Sequence, residues 1–118
     1  MKTEELIGPT LDWAVAKCEG VSLVEHIDGL CSWLEHEVSG YWVVYSPSTD
    51  WVQGGPIIKQ EKINVQVSCV KGWAAYVNND ELTDDLHHGL GDTPLIAAMR
   101  CFVASKLGDE VEIPEELK

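Results

Sequence analysis

Residues 93–108 read TPLIAAMRCFVASKLG, a run in which only Arg100, Ser105 and Lys106 are strongly polar. Thr93 can cap a helix with its hydroxyl, Pro94 suits the first helical position, where no intrahelical N–H is needed, and Gly108 suits the exit. The sequence therefore predicts a helix over 94–107. A helix that is apolar around most of its circumference cannot rest on a surface, because every orientation leaves Leu, Ile, Val or Phe in water. It must be buried. The 118 residues, 45% of them hydrophobic, are enough to surround one such helix, and 1–118 is read as one domain.

The other elements are then walls around that helix. Leu11, Ala14, Val15 and Cys18 recur at i, i+3, i+4 and i+7, with Asp12, Ala16 and Glu19 on the opposite side, which predicts an amphipathic helix over about 9–19, opened by Gly8-Pro9 and ended by Gly20. Residues 21–27 read as an edge strand, whereas 28–40 show no clean period. The aromatic and β-branched YWVVY at 41–45 predicts a short strand. Ser48, Thr49 or Asp50 then offers an N-cap, and Gly54-Gly55-Pro56 predicts that the short central helix over 49–61 is interrupted. From Ile63 the period becomes two: Ile63, Val65, Val67 and Cys69 share one face, Lys71-Gly72 turns the chain, and 73–77 alternates again. Residues 80–92 carry five acids and no Lys or Arg, which predicts a solvated excursion. In the acidic tail, Val111 and Ile113 are expected to pack back, and Pro114 to stop the helix from continuing. The fold class is α+β: a small antiparallel sheet, made of the hairpin 63–70/73–77 and extended by the strand near 41–45, packed with an N-terminal helix, a C-terminal helix and a short central helix.

Charge narrows the function. Lys and Arg number 8 against 20 Asp and Glu, a formal charge of −12. Such a field repels phosphate backbones and anionic lipid, so neither direct nucleic-acid binding nor membrane association is expected. No apolar run approaches the roughly 18 residues of a membrane span, and the N-terminus lacks the pattern of a signal peptide. Cys18, Cys31, Cys69 and Cys101 are widely spaced, and three of them fall on apolar faces, where cysteine acts as a small hydrophobe. Unbridged thiols and a cytoplasmic setting follow.

Chemistry has little local signature. No nucleophile elbow or phosphate loop occurs, so no catalytic residue and no cofactor is assigned. The ligand types cluster at Glu25, His26, Cys31, Glu35 and His36 and at Asp84, Asp85, His87 and His88, without the close pairing of a zinc site; solvated side chains are the simpler reading and no metal is assigned. The best candidate surface is the SPSTDW loop, where Ser46, Ser48, Thr49, Asp50 and Trp51 follow a strand and lead into a helix. Its simpler reading is a helix cap with Trp51 as a packing anchor.

Three stretches, LDWAVAKCEG, YSPSTDWVQGGPII and TPLIAAMRCFVASKLGDEVEIPEEL, resemble the NinX-like proteins of lambdoid phages and prophages. The order of the first helix, the Tyr-Ser-x-x-Thr-Asp motif and the last helix is also similar to the small phage domains called ABA sandwiches. The resemblance implies origin in a phage or prophage and cytoplasmic expression in an enterobacterial host, and it transfers no active site. The favoured reading is a non-enzymatic accessory protein that binds a host or phage protein, in a sharper form an acidic competitor for a basic surface. The alternative is a small-ligand protein or enzyme using the SPSTDW loop, with His87 or His88 near it. A homo-oligomer joined through surface tryptophans is a third.

The charge argument makes one expectation measurable. Strong duplex binders neutralise about six to ten phosphates, whereas the eight basic residues here are scattered, with Lys59, Lys62 and Lys71 the only loose grouping. Fluorescence anisotropy near 0.15 M salt should show no association with single- or double-stranded DNA. Micromolar, salt-sensitive binding would overturn that expectation.

Overall fold

The computed structural model describes residues 1–28, 31–68, 72–77 and 87–117. Its centre is helix α3 (Pro94–Leu107), which starts as the sequence predicts: Thr93 Oγ1 accepts from the Ile96 N–H at 3.2 Å and Pro94 takes the first position. Leu95 to Met99 and Cys101 to Ala104 are all buried, and Phe102 is 1% exposed. Burying the ring and its apolar neighbours is the principal driving force the chain has.

Helix α1 (Pro9–Glu19) packs along α3 and buries Leu11, Ala14 and Val15. Thr10 Oγ1 donates to the Ile7 carbonyl at 2.8 Å and accepts from the Ile7 N–H at 3.1 Å, fixing the entry where Gly8 has no side chain to cap with. Gly20 ends the helix at φ 72°, a left-handed conformation that costs a residue with a Cβ about 1–2 kcal/mol. The chain ends join beside α3: the Thr3 N–H donates to the Asp109 carbonyl, and Met1 and Val111 exchange backbone hydrogen bonds at 2.9 and 3.0 Å. Val111 and Ile113 pack back as expected, both buried.

The α+β class holds, but the strands divide into two antiparallel sheets. The first has the order β1 (Val24–Asp28), β2 (Cys31–Val38), β3 (Tyr41–Val44), and the second β4 (Ile63–Val67), β5 (Trp73–Val77), β6 (His87–Gly91). The strand near 41–45 thus does not extend the 63–77 hairpin. It pairs with β2 through the two-residue turn Ser39-Gly40, whose φ values of 52° and 85° suit the twist of a tight hairpin, and this local closure loses far less chain entropy than a reach to residue 63. Residues 31–38 showed no clean period because only the base of their sheet meets the core. Leu34 is 1% exposed, while Val38 on the same face is 45% exposed.

The second sheet lies on α3. Val65, Ala75 and Gly89 form one row across it, and Val67, Trp73 and Gly91 the next. Ile63 and Ala75 are buried, whereas Val67, expected on the inner face, runs out of cover and is 69% exposed. Residues 69–71, Cys69 included, lie outside the described residues, as do 78–86. The excursion predicted for 80–92 ends in a strand, β6, because its two glycines let backbone lie against helix. A Cβ on Gly89 would overlap the Ala97 carbonyl and come within 2.5 Å of the Cys101 nitrogen; one on Gly91 would meet the Ile96 side chain at 2.6 Å.

Helix α2 (Trp51–Glu61) is continuous where an interruption was expected. Pro56 removes the N–H that would pair with the Val52 carbonyl, and Val52 sits in the first turn, 82% exposed, where water replaces the lost partner. Gly54 is used for proximity, since a Cβ there would overlap the Pro47 carbonyl and the Leu95 side chain.

These contacts separate two glycine substitutions. Gly89→Ala drives a methyl into helix backbone that cannot move aside and should cost about 2–3 kcal/mol. Gly55→Ala, whose Cβ meets nothing beyond its chain neighbours, sets a gain in helix propensity against crowding by the following Pro56 ring and should change stability by less than about 1 kcal/mol. Urea unfolding of both variants checks the pair, and equal midpoints would refute the strand-on-helix approach.

Candidate functional site

The SPSTDW loop connects β3 to α2, and the structure divides its residues between two roles. Asp50 is the N-cap of α2, its Oδ1 accepting from the Val52 N–H at 2.9 Å. Pro47 and Ser48 are buried, Thr49 is exposed, and Trp51 is 57% exposed. The simpler reading therefore holds for the cap but not for the indole, which anchors nothing in the core. Gln53, which the sequence did not single out, ties the loop to the strand. Its amide nitrogen donates to the Val44 carbonyl at 2.7 Å, and its oxygen accepts from the Ser46 N–H at 2.8 Å.

Beneath the loop lies a polar cluster. Asp12, which helical periodicity placed on the outer side of α1, is 5% exposed, and its Oδ1 accepts from the Ser48 N–H at 2.9 Å. Burial pushes the Asp12 carboxyl up to about 6, and the facing Ser48 hydroxyl and N–H pull it back only in part. Ser48 Oγ has no hydrogen-bond partner among the described residues, although it lies close enough to Asp12 to favour the anion. Tyr45 is also buried, packs edge-on against His36 at 4.9 Å, and has its hydroxyl held well above the usual range by burial and by Glu19 and Asp12. Ser48 and Asp12 come together, and among the described residues no histidine is hydrogen-bonded to either as the base a nucleophilic reading needs.

Solvent sees a different surface. On the open face of the first sheet, Val24, Glu35 and Val44 make one cross-strand row, His26 and Trp33 a second, and Glu37 and Trp42 a third. His26 stacks on Trp33 with ring centroids 5.2 Å apart. Glu35 Oε1 accepts from Trp33 Nε1 at 3.0 Å and lies 3.1 Å from His26 Nε2, so this carboxylate is held from two sides. All four β3 residues are exposed, Tyr41 by 75% and Trp42 by 56%. Sequence reasoning missed this face. Its signal was the alternation Trp33, Glu35, Glu37 against Leu34, His36, Val38, followed by a two-residue turn.

Elsewhere, a cavity of about 450 Å³ opens between α3, β6 and the N-terminal segment, lined by Lys2, Glu4, His88, Arg100 and Glu110 among others. It includes no residue of the SPSTDW loop, so His88 and the loop are not joined in one pocket. Arg100 is committed within it, donating from Nε to the Leu6 carbonyl and from a terminal nitrogen to the Leu90 carbonyl. In the first ligand cluster His26 and Glu35 meet, whereas Asp84 and Asp85 of the second lie outside the described residues; among the described residues no three His, Cys, Asp or Glu side chains are placed to hold a metal. Cys101 is buried and Cys18 half-buried, and burial pushes each thiol up to about 11, which suppresses the reactive thiolate. No helix among the described residues is long and apolar enough to cross a membrane.

A family model described as Bacteriophage P22, NinX matches residues 2–106. No curated protein matches the chain.

Asp12 supplies a pH test of the buried cluster. Its carboxyl is raised from 3.8 to about 6 on folding, so the protonated form favours the fold below about pH 4 and that contribution is lost as pH rises through 6. Asp12→Asn keeps an oxygen to accept from Ser48 and removes the buried charge. The stability of the variant relative to the parent should therefore grow by about 2–3 kcal/mol between pH 4 and pH 7 in urea unfolding. A difference that stays constant with pH would show that the carboxyl is not shifted.

Proposed function

The chain belongs to the family described as Bacteriophage P22, NinX, and on that premise we propose that it is a phage accessory protein that docks another protein, from the host or the phage, without catalysing a reaction. The observation that carries this reading is the exposed apolar surface of the first sheet. Trp42 and Val44 stand on its open face, and Tyr41 and Val43 on the other side of the same strand. Helix α2 adds Trp51 and Val52, joined to β3 through the Gln53 bridge. Tyrosine and tryptophan clustered in water are characteristic of interfaces, where their large rings are buried on binding. In this reading the SPSTDW loop contributes Trp51 as a contact, and Ser48, being buried, serves as support.

The test is capture from phage-infected or lysogenic cells with the parent and with Trp42→Ser in parallel. Trp42 is exposed, so the variant should keep the parent's circular dichroism. A protein retained by the parent should be reduced at least about tenfold with the variant, as for a central aromatic contact. Identical retained proteins would remove the first sheet as the docking surface.

A further inference from the structure

We infer that the occupant of the open β1–β2–β3 face is a basic, arginine-bearing segment of the partner protein, a statement that rests on the docking reading above. Charge complementarity carries it. Between Lys17 and Lys59 the chain has no Lys or Arg, while Glu35 and Glu37 both stand on the open face of this sheet. Glu37 and Trp42 are direct cross-strand partners, both exposed, with His26 and Glu35 nearby on the same face.

Backbone geometry places that pair closely. The Tyr45 N–H donates to the Leu34 carbonyl at 2.7 Å, which makes 34/45 a hydrogen-bonded pair. Alternation along the ladder then makes 37/42 a non-hydrogen-bonded pair, the arrangement in which facing side chains stand closest, with Cβ atoms about 4.5–5.5 Å apart. An indole face beside a carboxylate fits a guanidinium, which stacks flat on the ring and donates a fork of hydrogen bonds to the acid. A lysine ammonium, compact and strongly hydrated, uses the same slot less well. Glu35, already fixed by Trp33 and His26, presents a second anionic point across the sheet.

The mode of docking follows from the strand's edge. The same alternation turns the backbone groups of Trp42 and Val44 outward, and the Val44 carbonyl is already taken by Gln53. A long added strand is blocked there, so the partner lies across the side chains of the face. A second copy of this chain brings another charge of −12 and is disfavoured as the occupant.

The probe is a fluorescein-labelled peptide of about ten residues alternating arginine and serine, with a lysine counterpart, titrated by anisotropy at about 0.15 M salt. The arginine peptide should bind the parent, and the lysine peptide about fivefold more weakly or worse. Glu37→Gln and Trp42→Ala should each weaken binding about tenfold, whereas Glu112→Gln, an exposed acid in the tail, should change it by less than about twofold. Equal losses from Glu37→Gln and Glu112→Gln would reduce the effect to general attraction by net charge and overturn the inference. Failure of the peptide to bind, with cellular capture still dependent on Trp42, would overturn the basic partner and leave the docking reading standing. Capture independent of Trp42 would remove the docking reading itself.

Discussion

Burial of α3 on nearly every side is the constraint from which the architecture follows. A helix carrying Leu95, Ile96, Met99, Phe102 and Val103 around its circumference needs cover from several directions, and one amphipathic neighbour supplies only one of them. Helix α1 covers one side, the second sheet another, and the paired chain ends and α2 the remainder. The closest of these approaches is β6, where Gly89 and Gly91 bring strand backbone against helix backbone. Small residues there let the sheet sit near enough for Ala75, a short side chain, to be fully buried.

Polar groups fasten the parts that the apolar core does not reach. Asp12 holds the 46–50 loop to α1 through the Ser48 N–H, and Gln53 clamps the end of β3 to the first turn of α2. The first hydrogen bond is made at the cost of burying a carboxyl, which responds by binding its proton more tightly. Leu34 and Tyr45 root the first sheet in the core, while Val24, Val38 and all of Tyr41–Val44 are exposed. The sheet is thus anchored at its base and open on the face that carries Trp33, Trp42, Glu35 and Glu37. A rigidly rooted, exposed aromatic face loses little freedom when a partner covers it, which favours binding.

The elements whose signals are local were legible in the sequence. Thr93, Pro94 and Gly108 bounded α3, Gly20 ended α1, and alternation from Ile63 to Val67 and from Trp73 to Val77 gave the hairpin strands, because capping, left-handed turns and side-chain period depend on neighbours a few residues away. The excess of acids, and the absence of Lys and Arg between Lys17 and Lys59, was likewise present in composition before any fold. The uninterrupted α2 was not, since Pro56 is tolerated only because its lost hydrogen bond falls on an exposed first turn.

What only the tertiary structure decided was which faces would be covered. Helical period put Asp12 on the outside of α1, and the arrival of the Ser48 loop over that side buried it. Period two put Val65 and Val67 on one face, and the extent of α3 left the second in water. The strand at 41–44 was visible as a strand, but its partner was not, because β2 carries a mixed pattern that follows from a sheet half rooted and half exposed. The sequence by itself determined the helices, the hairpin and the charge through interactions a few residues in range. The pairing of β3, the burial of Asp12 and the open face of Trp42 and Glu37 depend on contacts between segments distant along the chain, which a local pattern does not encode.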